Sequence, residues 1–119
     1  MYIKVIDVFS NVPGGRYIEE GPYSGEEFRA KILVPAVTKC IDQNEILTID
    51  FDGAYGYGSG FLEESFGGLV RLGFDYNILL NMLEFISHED PKIIKKIYNY
   101  IKEEGLRQQN SFKLKLDIK

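Results

Sequence analysis

The chain has 119 residues, 45% of them hydrophobic, and a formal net charge of −4. That length supports one hydrophobic core and leaves no room for a second, so residues 1–119 read as a single domain, and the composition lies far from the disordered regime. The acidic balance argues against nucleic-acid binding, because the richest basic stretch (Lys92, Lys95, Lys96, Lys102) is diluted by Glu103 and Glu104 and reads as a solvated helix face.

In chain order, residues 2–9 are β-branched and aromatic, and read as a strand. Asn11-Val12-Pro13-Gly14-Gly15 is a turn signal, with Arg16-Tyr17-Ile18 returning as a second strand before Gly21 and Pro22 stop it. Ser24-Gly25-Glu26-Glu27 matches a capping box, in which the Ser24 hydroxyl accepts from the Glu27 N–H and the Glu27 carboxylate reaches back to the Ser24 N–H. Behind it Phe28, Ile32, Ala36 and Cys40 recur every four residues, flanked by Leu33, Val37 and Ile41, which predicts an amphipathic helix. Pro35 inside that pattern predicts a kink or break near Val34.

The apolar run Ile46-Leu47-Thr48-Ile49-Asp50-Phe51 suits a central strand covered on both faces. A glycine-rich segment, residues 52–60, follows it and opens a second helix through Phe61, Leu62, Phe66, Leu69 and Leu72 to Gly73. Gly67 and Gly68 within that helix imply a close helix–sheet contact. Asp75 caps a short helix to Met82, residues 83–87 form a strand, and Asp90-Pro91 starts a helix. Its stripe is Ile93, Ile94, Ile97, Tyr98 and Ile101, and Gly105 ends it. Phe112, Leu114, Leu116 and Ile118 alternate with Lys113, Lys115, Asp117 and Lys119, as in a half-exposed strand with a lysine-protected edge. That strand pairs either within the chain or with a second copy, which makes it the route to a homo-oligomer. The order is ββαβα(α)βαβ, an α/β fold with a mixed sheet packed against helices.

Segment 52–60 is the strongest candidate for function, since it leaves a strand at its carboxyl end, where α/β folds place their sites. Gly56 and Gly58 begin a dinucleotide fingerprint, but Phe61 stands at its third glycine, and no phosphate-binding Lys-Ser/Thr pair follows. Around Ser59 the glycines are misplaced for a nucleophile elbow, and a triad of Ser59, His88 and Asp52 has a lone histidine beside a helix cap as its base. One His and one Cys cannot build a usual zinc set, the aspartates lack calcium-loop spacing, and no cofactor is expected. With one cysteine no internal disulfide forms, and Cys40 reads as a small buried hydrophobe. No run reaches the ~18 apolar residues of a membrane span and no signal-peptide layout is present, so the cytoplasm is the expected compartment. The plain reading of Gly53 and Gly56 is a tight strand-to-helix turn. Tyr55 and Tyr57 fit that reading less well, because aromatics on a positioned loop suit protein contacts.

The run Ile46–Gly53, a short loop and an amphipathic helix together resemble the central signature of STAS domains, the fold of bacterial anti-sigma-factor antagonists. Residues 21–29 (GPYSGEEFR) and 61–69 (FLEESFGGL) are similar to the STAS-like family of uncharacterised bacterial domains, and the resemblance covers nearly the whole chain. It implies a regulatory protein–protein interaction module, not an enzyme, whose partner is a histidine-kinase-like ATPase or another regulator. In antagonist-type STAS domains the serine before the Gly-Leu step is phosphorylated. Here Ser59 takes that position, Gly60 matches the glycine and Phe61 the leucine, whereas Tyr57 and Gly58 replace the preceding aspartate and serine. Ser59 is thus either a phosphoacceptor at a helix N-terminus or simply the N-cap. The partner-binding residues implied are Tyr55, Tyr57, Gly58, Ser59, Gly60 and Phe61. The alternative is a small-molecule or nucleotide-binding sensor using loop 52–60.

Overall fold

A computed structural model describes residues 1–117. Three short strands, β1 (Tyr2–Lys4), β2 (Leu47–Asp50) and β3 (Leu83–Ile86), form a sheet in the order 1-2-3. Both pairings are parallel, with Lys4 beside Asp50 and Asp50 beside Ile86, so the sheet is parallel and not mixed. The long connections explain this: β1 and β2 are each followed by a helical crossover that returns the chain to the starting end of the sheet. Leu47, Ile49 and Leu83 are buried, whereas Tyr2 and Glu84 are exposed and Thr48 is half-exposed. The central strand is therefore fully covered on the face of Leu47 and Ile49 and only partly on the other, where Thr48 is half-exposed and Asp50 is buried.

The expected first strand is cut short. Beyond Lys4, whose partner Asp50 is the last residue of β2, the chain coils into a single turn, α1 (Val5–Val8), and the Phe9 and Ser10 N–H groups both donate to the Val5 carbonyl. This delivers the Phe9 ring to those of Phe28 and Phe61, at centroid distances of 5.1 and 6.3 Å. The second expected strand does not form either. The Gly15 and Arg16 carbonyls instead accept from Gly25 and Glu26, the first free N–H groups of the next helix, and Ile18–Glu20 is a 3-10 turn. Orphan helix donors outcompeted a hairpin partner there.

That helix, α2, spans residues 25–43 in three parts: α over Gly25–Phe28, π over Arg29–Leu33 and α over Val34–Gln43. Ser24 Oγ accepts from Glu27 N–H at 3.1 Å as expected, but the Glu27 carboxylate turns to the Tyr23 N–H at 3.3 Å. Pro35 does not break the helix. The widened π turn closes on the Val34 N–H just before it, which relieves the steric demand of the proline ring. Asn44, left-handed at φ 54°, ends α2.

Helix α3 spans residues 59–71 and also carries a π turn, Glu63–Gly67, between α segments Ser59–Leu62 and Gly68–Arg71. The two π turns pack against each other. Gly68 carries no side chain where the Arg29 side chain crosses it, so the close contact is helix to helix, not helix to sheet. Gly73, at φ 116°, terminates this region, and Asp75 Oδ1 caps α4 (Tyr76–Met82) by accepting from Asn77 and Ile78 N–H.

The last helix, α5, runs from Lys92 to Asp117. Ile93, Ile97 and Ile101 are buried as the stripe requires. Gly105 does not end it: the Tyr76 ring occupies the space of the missing side chain, and the helix continues. No C-terminal strand exists among the described residues, so the oligomer route through it falls as well. Ile118 lies outside the described residues. Phe112 and Leu114 are 64% and 63% exposed, because no strand runs beside them to reward alternation and local helix propagation prevails. The buried hydrophobics form one cluster drawn from β2, β3 and the helices. No helix among the described residues is long and apolar enough to cross a membrane.

Candidate functional site

Because all three strands are parallel, their carboxyl ends share one edge of the domain. Residues 51–58 leave β2 there, and residues 87–91 leave β3 beside them. Gly53 sits at φ 97° with the Ile6 side chain packed where a Cβ would stand, and Gly56 sits at φ 150°, so both are required by the turn.

The loop is fastened at several points. The Asp52 N–H donates to Asp50 Oδ1 at 2.9 Å, the Gly53 N–H to Glu89 Oε1 at 2.7 Å and the Tyr55 N–H to the Asn11 carbonyl at 3.0 Å. The Tyr57 hydroxyl donates to the Phe51 carbonyl at 3.1 Å, and its ring meets that of Phe51 edge to face. Across the gap Asp52 returns the tie, accepting the Glu89 N–H at 3.0 Å and facing His88 Nδ1 at 2.8 Å. The Glu89 N–H, aided by the His88 ring, holds the Asp52 carboxyl below the usual carboxylate range. Burial pushes the Tyr57 hydroxyl well up, and the carboxylates Asp50, Asp52 and Glu89 push it further. Asp50 itself is buried and accepts from the Tyr2 hydroxyl of the neighbouring strand, which raises the tyrosine.

The residues expected at the site divide sharply. Tyr55 is 87% exposed at the loop tip. Gly58 and Ser59 are exposed, while Gly60 is half-buried against the Arg16 side chain and Tyr57 is half-buried. Phe61 is 1% exposed, its ring stacked on that of Phe28, so it anchors the helix from within the core and does not reach the surface. Ser59 is not the N-cap. Gly58 occupies that position, with no side-chain cap, and Ser59 is the first helical residue. Of the triad, Asp52 and His88 do meet, but no hydrogen bond joins Ser59 to His88 among the described residues. No cluster of three or more potential metal ligands occurs among the described residues.

Sequence reasoning missed Glu89 and Asp90. With Phe51, Tyr55, Tyr57 and Ser87 they line a cleft of about 180 Å³ between the two loops. The available signal was the Ser87-His88-Glu89-Asp90 run, read as a strand end, a lone candidate base and, at Asp90-Pro91, a helix start. That this turn faces loop 51–58 follows from the parallel pairing of β2 and β3.

A second polar centre lies where the two π turns meet. Glu63 takes Arg16 Nη1 at 2.6 Å and Arg71 Nη1 at 2.9 Å, and Glu64 takes Arg71 Nη2 at 3.0 Å with Arg29 at 3.5 Å. Arg71 also reaches Glu104 at 3.4 Å. Burial pushes the Glu63 carboxyl up, but the two arginines outweigh it and hold it below its ordinary range. Its groups are mutually satisfied, which marks it as structural.

No curated protein and no solved structure matches the chain. The protein-family profile that does match spans residues 24–92, more than half of the chain, from the capped start of α2 through both π turns and the loop 51–58 to the start of α5. The chain belongs to the family described as a STAS-like domain of unknown function (DUF4325).

Proposed function

We propose that this domain is a regulatory interaction module that engages a protein partner with loop 51–58 and the exposed start of α3, and that it catalyses no reaction. The observation that carries this reading is Tyr55, a large aromatic 87% exposed on a loop tied down by backbone and side-chain hydrogen bonds. A rigid exposed aromatic supplies contact area without the entropy cost of ordering a loop, as binding anchors require. Gly58 and Ser59 adjoin it on the surface. Phe61 and Tyr57 act behind it as the packing that holds the tip in place.

Family resemblance points to a histidine-kinase-like ATPase or a comparable regulator as the partner, with Ser59 as the candidate phosphoacceptor. The Ser59 side chain is exposed at a helix start and makes no capping bond, so a kinase could reach it. A nucleotide-binding sensor fits the site less well. Its cleft is smaller than the ~300 Å³ at which small-molecule pockets begin, and its carboxylate rim opposes phosphate.

The test is affinity capture of the tagged protein from its host, read by quantitative mass spectrometry that covers Ser59. A regulator enriched by the wild type and lost about ten-fold on Tyr55→Ala, with the melting temperature unchanged, supports the reading. Equal recovery with Tyr55→Ala sinks it. Phosphate on Ser59 would add the switch, and its absence in partner-bound and free pools would remove that element.

A further inference from the structure

The cleft between residues 51–57 and 87–90 has a one-sided chemistry. Phe51, Tyr55 and Tyr57 stand among its lining residues with Glu89 and Asp90, and none of its lining residues among those described is basic. Glu89 spends Oε1 on the Gly53 N–H and leaves its second oxygen free. The Asp90 carboxylate has no hydrogen bond or ion pair among the described residues. Asp50 and Asp52 lie close enough to raise the Tyr57 hydroxyl.

The opposing charges are weak. His88 is bound to Asp52 and its ring is exposed to water. The start of α5, where Ile93 lines the cleft, contributes about half a positive charge, against two full negative charges on Glu89 and Asp90. The net field therefore favours a cation.

The shape narrows the choice further. A space of about 180 Å³ accepts one side chain rather than a whole cofactor. A guanidinium is planar and weakly hydrated, stacks on tyrosine faces and binds a carboxylate with two N–H groups at once, whereas an ammonium would give up more hydration on entering an aromatic slot.

We infer that this cleft receives one arginine side chain of the partner, held by the Glu89 and Asp90 carboxylates beside Tyr55 and Tyr57. This rests on the interaction reading, and gives it a chemistry: the partner presents an arginine on a protruding segment, flanked by surface that Tyr55 covers.

The experiment is an NMR titration of the ¹⁵N-labelled protein with acetyl-Gly-Arg-Gly-amide, using the citrulline peptide as an uncharged isostere. The arginine peptide is expected to shift the Gly53, Ala54, Gly56 and Glu89 amides, while the citrulline peptide leaves them in place. The double variant Glu89→Gln, Asp90→Asn should weaken the arginine peptide about five-fold, as for loss of exposed charge pairs. The glutamine amide oxygen of that variant can still accept the Gly53 N–H, and an unchanged melting temperature confirms an intact loop. Equal shifts from both peptides, shifts confined to other surfaces, or undiminished binding by the double variant would each overturn the inference. Partner loss on Tyr55→Ala combined with any of these would leave the interaction module standing without its arginine. Arginine-selective shifts combined with full partner recovery on Tyr55→Ala would sink the module reading alone.

Discussion

Two charged regions of this domain use the same residue types to opposite ends. Where the π turns of α2 and α3 meet, Glu63, Glu64 and Glu104 face Arg16, Arg29 and Arg71, and every carboxylate has a guanidinium within 3.5 Å. At the carboxyl end of the sheet, Glu89 and Asp90 line a cleft with Phe51, Tyr55 and Tyr57 and are exposed to water. The first arrangement spends its charge on itself and holds two helices in register. The second spends one oxygen on bracing a loop and leaves the rest of its charge unused. Net charge or acidic-residue counts would not separate them; the distinction lies in whether each charge has a partner inside the chain.

Stability measurements should break along this line. Glu64 is 8% exposed and is the one carboxylate paired with Arg29 among the described residues, so Glu64→Ala leaves that guanidinium uncompensated and is expected to cost about 3 kcal/mol, at the low end for a buried ion pair because Arg16 and Arg71 keep Glu63. Urea unfolding would show it, and a loss below about 0.5 kcal/mol would mean the network is no firmer than a surface pair. Gly105→Leu tests the same helical side by packing alone. The new side chain would strike the Tyr76 ring, and a cost of about 2 kcal/mol is expected, read by the same denaturation.

On the loop side the same experiment should read close to nothing. Tyr55→Ala and Glu89→Gln are each expected to stay within about 0.5 kcal/mol of the wild type, since one removes a solvated ring and the other keeps an acceptor for Gly53. A larger loss for Tyr55→Ala would make the ring a structural element and weaken its claim as a contact.

The smallest effect is local. With its carboxyl held below the unfolded value of about 3.9, Asp52 contributes its tie fully above that pH and loses it as the pH falls through the lower, folded value. The Glu89 amide resonance should therefore titrate with a midpoint below about 3.9, ahead of which global unfolding should not occur. A midpoint at the ordinary value would show that the two loops are not joined through Asp52.

Much of this architecture was present in the residue pattern. Of the four-residue period Phe28, Ile32, Ala36 and Cys40, Phe28 and Cys40 are buried, whereas Ile32 and Ala36 are half-buried and the flanking Leu33 and Val37 go inside; the Ser24 cap, the Asp75 cap and the positive φ of Gly73 are local features, set by neighbours three or four residues apart, and stand where the sequence implies. The same holds for the stripe Ile93, Ile97 and Ile101. What failed depended on neighbours distant in the chain. Residues 16–18 carry strand chemistry, but the free N–H groups of Gly25 and Glu26 claimed the carbonyls of Gly15 and Arg16. Alternation from Phe112 onward predicts a strand, but alternation stabilises one only where a sheet edge lies alongside, and α5 carries the segment onward as helix.

The candidate site follows the same rule. Sequence by itself determined that a glycine-rich turn with exposed tyrosine would leave the central strand, because positive φ at Gly53 and Gly56 is a property of the turn alone. Only the tertiary structure decided that Phe61 would be core and Tyr55 surface, since one helical step rotates Phe61 onto Phe28 while the loop holds Tyr55 outward. It also decided that Glu89 and Asp90, far along the chain from the loop they face, complete the cleft. Parallel pairing brings the ends of β2 and β3 to one edge whatever their separation in the chain, and charge becomes available for recognition only where that geometry leaves it unpaired.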